Sequence, residues 1–291
     1  MEPKDTVFSK KNTINCNGQL IDLLKPKIMG ILNITPDSFY DGGMHNNTEQ
    51  IITSVDKHLN EGADIIDIGA YSSRPGAIDV SEKIELERLI FALNIIRNKY
   101  PDIIISVDTF RSNIAKKLVN NFNVNIINDI SAGEMDNKMF DTIAELNVPY
   151  IMMHMKGTPK NMQRNPKYEN LIQDIISYFA EKIEKLKLLG VNDVILDPGF
   201  GFGKTLEHNY EIMHKLSDFN IINLPILVGV SRKSMIFRLL NISPEDALNG
   251  TTVLHTLALL NGANILRVHD VKAARETIKL IDMYKNIETV N

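Results

Sequence analysis

From residue 27 onward, short apolar runs rich in β-branched residues alternate with longer stretches whose apolar positions recur every three or four residues. The runs are KIMGILNIT (27–35), ADIIDIGA (63–70), DIIISVDT (102–109), VNIINDIS (124–131), VPYIMMHM (148–155), DVILDPG (193–199), PILVGVS (225–231) and ANILRVHD (263–270). Between them lie helical candidates, among them 48–62, 111–122, 171–190 and, after a Ser-Pro-Glu-Asp cap at 243–246, residues 247–262. Strand-helix alternation of this kind implies crossover units and a parallel sheet. Eight units in about 265 residues match the size of a (β/α)8 TIM barrel. A doubly wound open sheet is the alternative, but its Gly-x-Gly-x-x-Gly fingerprint is missing. Ahead of the first run, Asn17-Gly18 separates two short strand-like segments, a strong hairpin signal. We therefore expect an N-terminal extension with a β-hairpin over 1–26, lying across the barrel's N-terminal end, and one barrel domain over 27–291.

Composition narrows the class without naming a chemistry. Of 291 residues, 44% are hydrophobic and 23% charged, as in an ordinary globular chain. A net charge of −4 offers no general attraction for nucleic acid or anionic membrane. The single cysteine, Cys16, excludes an internal disulfide and a multi-cysteine metal site. Residues 1–13 are polar, without the apolar core of a secretory signal, and no run approaches a membrane span. A cytoplasmic protein is expected, with small-molecule partners and neither nucleic acid nor membrane among them.

Barrel enzymes build their sites at the C-terminal ends of the strands, and those ends are polar here. They carry Asn33, Asp67, Asp108, Asn128 with Asp129, His154, Asp197, Ser231-Arg232-Lys233, and Arg267 with His269 and Asp270. Any one of these could be a turn former or helix cap. Eight ends converging on one mouth favour a site. Asp108, Asn128 and Asp197 suit a flat heterocycle bearing amino and amide groups. Lys233, Arg267 and His269 supply cations where barrels commonly hold phosphate. After the second run, SSRPGA places Arg74 between Ser73 and Pro75. After the first, NITPDSFYDGG offers Phe39 and Tyr40 in a turn-rich loop suited to covering a ligand.

The stretch DPGFGFGKT (197–205) looks like a phosphate loop and is not one. A Walker loop needs a glycine where Pro198 stands, and its glycines at 199, 201 and 203 are spaced two apart. Lys204 and Thr205 are expected to start the next helix. Among the seven histidines, His58, His208 and His214 read as surface residues on helices, His255 as a satisfied core residue, and His154 as undecided; the twelve methionines read as packing.

In order, IMGILNITPDSFYDGG, SSRPGA, SVDTF, INDISAG, MMHMKGTPKNMQ, DPGFGFGKT, GVSRKSMI and RVHDV closely resemble the dihydropteroate synthase family, over residues 27 to 280. The resemblance implies a transferase that joins p-aminobenzoate to 6-hydroxymethyl-7,8-dihydropterin diphosphate and releases pyrophosphate, in folate biosynthesis. By motif position, Asp108, Asn128, Asp197, Lys233 and Arg267 would hold the pterin. Asn33, Arg74, Arg267 and His269 would meet the diphosphate, with Mg²⁺ on Asn33. Phe39, Ser73, Pro75, Arg232 and Ser234 would surround the aminobenzoate, the substrate that the family's sulfonamide inhibitors mimic. Asp108, Lys233, Arg267 and His269 would carry the catalysis, without a general base. The family also implies a homodimer through the last helices. One departure is Tyr71-Ser72-Ser73, where many members have Glu-Ser-Thr; it bears on the aminobenzoate pocket rather than on the reaction. A pterin-dependent methyltransferase, a Schiff-base aldolase using Lys233 and a catalytically silent pterin binder are the rivals.

Overall fold

The computed structural model describes residues 11–34, 43–71, 79–159, 161–163 and 166–287. Two antiparallel strands come first, β1 (Thr13–Cys16) and β2 (Gln19–Asp22), joined through Asn17 and Gly18, both at positive φ as a two-residue hairpin turn requires. Eight parallel strands follow: β3 (Lys27–Asn33), β4 (Ile65–Gly69), β5 (Ile105–Asp108), β6 (Ile126–Asp129), β7 (Tyr150–Met153), β8 (Val194–Asp197), β9 (Leu227–Val228) and β10 (Ile265–Val268). Their order is β8-β7-β6-β5-β4-β3-β10-β9. A parallel bridge between Leu196 and Ile226, with the Leu196 N–H donating to the Pro225 carbonyl at 2.8 Å, joins the two edges. The result is the expected (β/α)8 barrel with its hairpin.

Every predicted run contains a strand, shorter than the run itself. Helices return the chain between them, including α1 (Gly43–Asn60), α2 (Glu82–Lys99), α3 (Ser112–Phe122), α4 (Met139–Leu146), α5 (Leu171–Leu188), α6 (Leu206–His214), α7 (Ser234–Leu240), α8 (Leu248–Leu260) and α9 (Val271–Asn286). Their ends obey local chemistry: Asn170 accepts from the Gln173 N–H at the start of α5, and Thr205 and His208 form a reciprocal capping box at α6.

The period of two along each strand sorts side chains between two interiors. Ile66, Ile68, Ile105, Val107, Ile127, Tyr150, Met152, Val194, Leu196, Leu266 and Val268 face outward into the large core under the helices. The alternate positions face into the barrel. At its N-terminal end they are Met29, Ile65, Ile126, Ile151, Ile195, Leu227 and Ile265, packed with Ile14, Cys16, Ile21 and Leu23 of the hairpin. The hairpin thus closes the barrel floor. Asn264 ties it there, donating to the Leu23 carbonyl at 3.1 Å and accepting from the Ile226 N–H at 3.0 Å.

Candidate active site

Two residues beyond the apolar floor, on the same inward face, the residue types change. Ile65 is followed by Asp67, Ile126 by Asn128, Ile195 by Asp197 and Ile265 by Arg267. All four polar side chains stand where the barrel interior opens towards the C-terminal mouth, and Asp108 ends the neighbouring β5.

Arg267 organises one half of this layer. Its Nε donates to Asp67 Oδ2 at 2.6 Å and its Nη2 to Asp108 Oδ2 at 2.9 Å. The same Asp67 oxygen accepts from Asn128 Nδ2 at 3.2 Å. This bond uses one of the two amide N–H groups, so Asn128 still has a second N–H and a carbonyl oxygen to offer a ligand. Asp67 is fully buried, and its Oδ1 has no hydrogen-bond partner among the described residues. Burial pushes the Asp108 carboxyl up to about 7, with Arg267 pulling it back and Asp67 adding to the rise. Burial also works against the Arg267 charge, but Asp67 and Asp108 outweigh it and hold the guanidinium protonated. Asp67, Asp108 and Arg267 thus form a largely buried cluster in which a cationic or hydrogen-donating ligand would favour the ionised form of Asp108.

The other half surrounds Asp197, which is 6% exposed. Asp197 Oδ1 accepts from the Gly199 N–H at 2.8 Å. Lys233 points inward, donating to the Phe200 carbonyl at 2.6 Å with its Nζ 4.9 Å from the Phe202 ring centre. Burial lowers the Lys233 ammonium to about 8, against the pull of Asp197. Burial raises Asp197, with Lys233 the largest opposing influence. Gly199 sits at φ +73°, where a side chain would collide with the His154 carbonyl. The glycines of this loop let it fold tightly over the end of β7, and no phosphate cradle is formed.

An apolar wall completes the mouth: Phe110, Ile130, Met153, Met155 and Met162 pack with Tyr71, Met135 and Phe202. Its flexible, polarisable side chains suit the face of a flat ring. Tyr71 meets Phe110 edge-on, ring centres 5.1 Å apart, with the Arg111 guanidinium 5.6 Å from the Tyr71 ring centre. The aromatic at the position of the family's glutamate is thus part of this wall.

Residues 29–269 match the family described as pterin binding enzyme. The chain is 42% identical over 267 residues to dihydropteroate synthase of Escherichia coli strain K12, covering 91% of this chain and 94% of that one. The chain belongs to the dihydropteroate synthase family. The fold agrees: the Yersinia pestis dihydropteroate synthase in a sulfonamide drug complex superposes with a TM-score of 0.87 at 39% identity, over 94% of this chain and 99% of that one. The Xanthomonas albilineans enzyme with 4-aminobenzoic acid gives 0.86 at 33% identity, over 94% and 98%.

Within this family member the expected site residues fall into three groups. Asp108, Asn128, Asp197, Lys233 and Arg267 form the connected layer described above. Asn33, His269 and Ser234 stand at the rim, all partly buried. Asn33 closes β3, and a Cβ at Gly69 would lie 3.8 Å from both Asn33 Oδ1 and Asp108 Oδ2, so the two side chains flank one gap. The His269 N–H donates to Ser231 Oγ at 3.2 Å, and Ser234 opens α7. Arg232, expected near the aminobenzoate, is engaged by a bidentate pair with Asp270 (2.8 Å for both bonds) and by the Pro244 and Glu245 carbonyls. Phe39, Ser73, Arg74 and Pro75 lie outside the described residues.

Expectations at Lys204, His58 and His255 are corrected. Thr205 does open the next helix, as the N-cap of α6, but Lys204 takes no part in it: it is buried before the cap, its ammonium on His154. His58 is not at the surface; it is 7% exposed, its Nε2 3.0 Å from the Ile31 carbonyl, its ring packed where Gly30 leaves room. Asp67, read only as a polar strand end, turns out to join Arg267 to Asn128. Its position on an inward face two residues after Ile65 was the available signal; the partners could not be read from spacing. His154, left open, is a buried neutral imidazole; His255 lies in the core as expected but is not satisfied there, its buried Nε2 having no hydrogen-bond partner among the described residues.

Proposed function

We propose that the protein condenses 6-hydroxymethyl-7,8-dihydropterin diphosphate with p-aminobenzoate, giving 7,8-dihydropteroate and pyrophosphate. The observation that carries this reading is the Arg267–Asp108 contact at 2.9 Å, which puts the acid-and-amide half and the cationic half of the mouth within reach of one small molecule. Asp197 and the Asn128 carbonyl accept from the amino and N–H edge of the pterin, and Lys233 donates to its acceptor atoms. Arg267 and His269 face the diphosphate.

As the bond between the pterin methylene carbon and the diphosphate oxygen breaks, positive charge spreads into the dihydropterin and both electrons leave with pyrophosphate. The aniline nitrogen then forms the new carbon–nitrogen bond and loses a proton to solvent. The ionised form of Asp108, which Arg267 favours against burial, stabilises the cationic carbon fragment electrostatically. Arg267 and His269 neutralise the departing anion, each preorganised charge contributing on the order of 3 kcal/mol in a closed site. The amine is already nucleophilic, so no base is assigned.

Among the described residues no group of three or more His, Cys, Asp or Glu could hold a metal. A magnesium ion that keeps several waters and shares the diphosphate oxygens needs few protein ligands, and the Asn33 amide oxygen beside the Gly69 gap fits that demand. Mg²⁺ would neutralise leaving-group charge there. Ser234 at the start of α7 and Arg232 are the described residues proposed for the aminobenzoate, alongside Phe39, Ser73 and Pro75; diphosphate contact by Arg74 belongs to the same proposal. A homodimer is supported by the exposed apolar side chains Val253, Leu257 and Leu260 of α8 and Leu280, Met283 and Tyr284 of α9. No helix among the described residues is long and apolar enough to cross a membrane, consistent with a cytoplasmic home.

The test is pyrophosphate release in the presence of Mg²⁺. Release that needs both substrates supports the synthase. Methyl transfer to a corrinoid, or borohydride trapping of a carbonyl substrate on Lys233, would replace it with a rival. Light scattering across a dilution series tests the dimer.

A further inference from the structure

We propose that Lys204 is a positioning residue for the pterin half of the site: its buried ammonium clamps the glycine loop after β8 to the end of β7 and so fixes the carbonyl that aims Lys233. Lys204 is 3% exposed. Its Nζ lies 3.0 Å from His154 Nδ1, 3.2 Å from the His154 carbonyl and 3.0 Å from the Phe202 carbonyl. Burial lowers the Lys204 ammonium to about 7, against the pull of Asp197; in the protonated form three ammonium protons meet three acceptors, with His154 in the tautomer that leaves Nδ1 unprotonated. Burial, then the charges of Lys204 and Lys156, keep that imidazole neutral, down to about 2.

The clamp reaches the site through the backbone. Phe202 belongs to the same tight loop as Phe200, whose carbonyl holds Lys233 Nζ at 2.6 Å, and as Gly199, whose N–H holds Asp197. Gln163 and Tyr168 tie the segment after β7 to the Gly201 and Gly203 carbonyls at 2.6 and 2.7 Å, and the buried Asn209 accepts from the Gly201 N–H at 2.6 Å. Among the described residues, Lys204 is the side chain that joins the Phe202 carbonyl of this loop to His154 at the end of β7, beside Asp197. The two lysines flank that carboxylate, and each draws it towards the ionised form that accepts from a ligand. A methionine would fill the space and leave His154 Nδ1 and two carbonyls without donors, so the loop would relax and the Phe200 carbonyl would shift.

The proposal rests on the pterin reading, and its test is read by binding rather than by turnover. Calorimetry with 6-hydroxymethyl-7,8-dihydropterin diphosphate should show Kd weakened about tenfold in Lys204→Met, the scale expected when a group that orients a ligand-binding residue is lost. The KM for p-aminobenzoate should stay within about twofold, because among the described residues Lys204 bonds to His154 and Phe202 and to neither Arg232 nor Ser234 of that rim. Lys204→Gln, whose amide keeps two donors for the two carbonyls, should recover part of the affinity, and it serves as the test variant if Lys204→Met does not fold. Unchanged pterin affinity in a folded variant overturns the proposal, as does an equal loss for both substrates, which would mark a merely structural lysine. A wild-type protein that binds the pterin diphosphate yet releases no pyrophosphate defeats the synthase reading and leaves this test standing.

Discussion

The inward faces of the barrel strands hold two layers, two residues apart, made from opposite materials. The floor is Met29, Ile65, Ile126, Ile151, Ile195, Leu227 and Ile265 under the hairpin; the layer above it contains Asp67, Asn128, Asp197 and Arg267. Two residues of strand span about 7 Å, so the change from dry packing to buried charge happens over one side-chain layer. The floor contributes stability through burial, roughly proportional to the apolar area removed from water. The upper layer works against it: burial raises Asp108 and Asp197 and lowers Lys233. That cost is tolerable because the floor and the outer core hold the barrel without it, and the charges are thereby preorganised for a ligand.

The sharpest way to break this division is Arg267→Met. If the upper layer serves catalysis, kcat/KM for pyrophosphate release should fall by about 10²–10³-fold, the loss typical of a preorganised charge on a developing anion. A fall below tenfold would mean that the leaving group is neutralised elsewhere. The matching change in the floor is Ile195→Ala, fully buried among the hairpin and strand residues. Denaturant unfolding should show about 2–5 kcal/mol of lost stability, with kcat and both KM values at 25 °C within about twofold of wild type. Impaired kinetics in folded Ile195→Ala would show that the layers are coupled.

How much of this could be read in advance follows from what each layer depends on. The strands were legible because apolar β-rich runs between helical periods leave few other solutions, and Asn17-Gly18 dictates its own turn. The floor followed from alternation. The polar strand ends were visible too, but only as residue types at the right height. Partners were not: alternation puts Asp67 on the inward face and Asp129 on the outward one, but does not tell that the first binds Arg267 or that the second accepts from the Ser131 and Gly133 N–H groups and the Tyr150 hydroxyl. Lys204 was misjudged for a related reason. A lysine after glycines and before a threonine cap reads as the start of a helix, and only the fold of the loop turns its side chain inward. His58 sits at helical spacing, and its burial depends on Gly30 of a strand distant in sequence.

Asp67 sharpens the comparison at a lower level, since it lies in the upper layer but is expected to touch no substrate. Asp67→Asn keeps the shape and removes the charge. The single oxygen that accepts from both Arg267 and Asn128 becomes an uncharged, weaker acceptor in the amide, so the pair is held less firmly and kcat/KM should drop by about tenfold. Stability should change by less than about 1 kcal/mol, because Arg267 keeps Asp108 and one of two adjacent buried negative charges is gone. Melting curves beside pyrophosphate-release kinetics separate the cases: parallel losses in both would make Asp67 part of the scaffold.

The smallest effect is expected at the rim, where Arg232 is paired with Asp270 and with two carbonyls, the pair's side chains 28% and 23% exposed. If these bonds mainly anchor the loop ahead of α8, Asp270→Asn should cost about 1 kcal/mol and shift the KM for p-aminobenzoate by less than about threefold. The pH dependence gives the sign. The Arg232 hydrogen bonds hold the Asp270 carboxyl below its ordinary 3.8. The contribution of the pair is therefore full above that value and fades as pH falls through the lowered one. Thermal melting should separate wild type from Asp270→Asn at neutral pH and bring them together in strong acid. If instead the variant leaves stability untouched and raises the KM for p-aminobenzoate by tenfold or more, Arg232 needs Asp270 to present it to the substrate, and the rim belongs with the upper layer rather than with the scaffold.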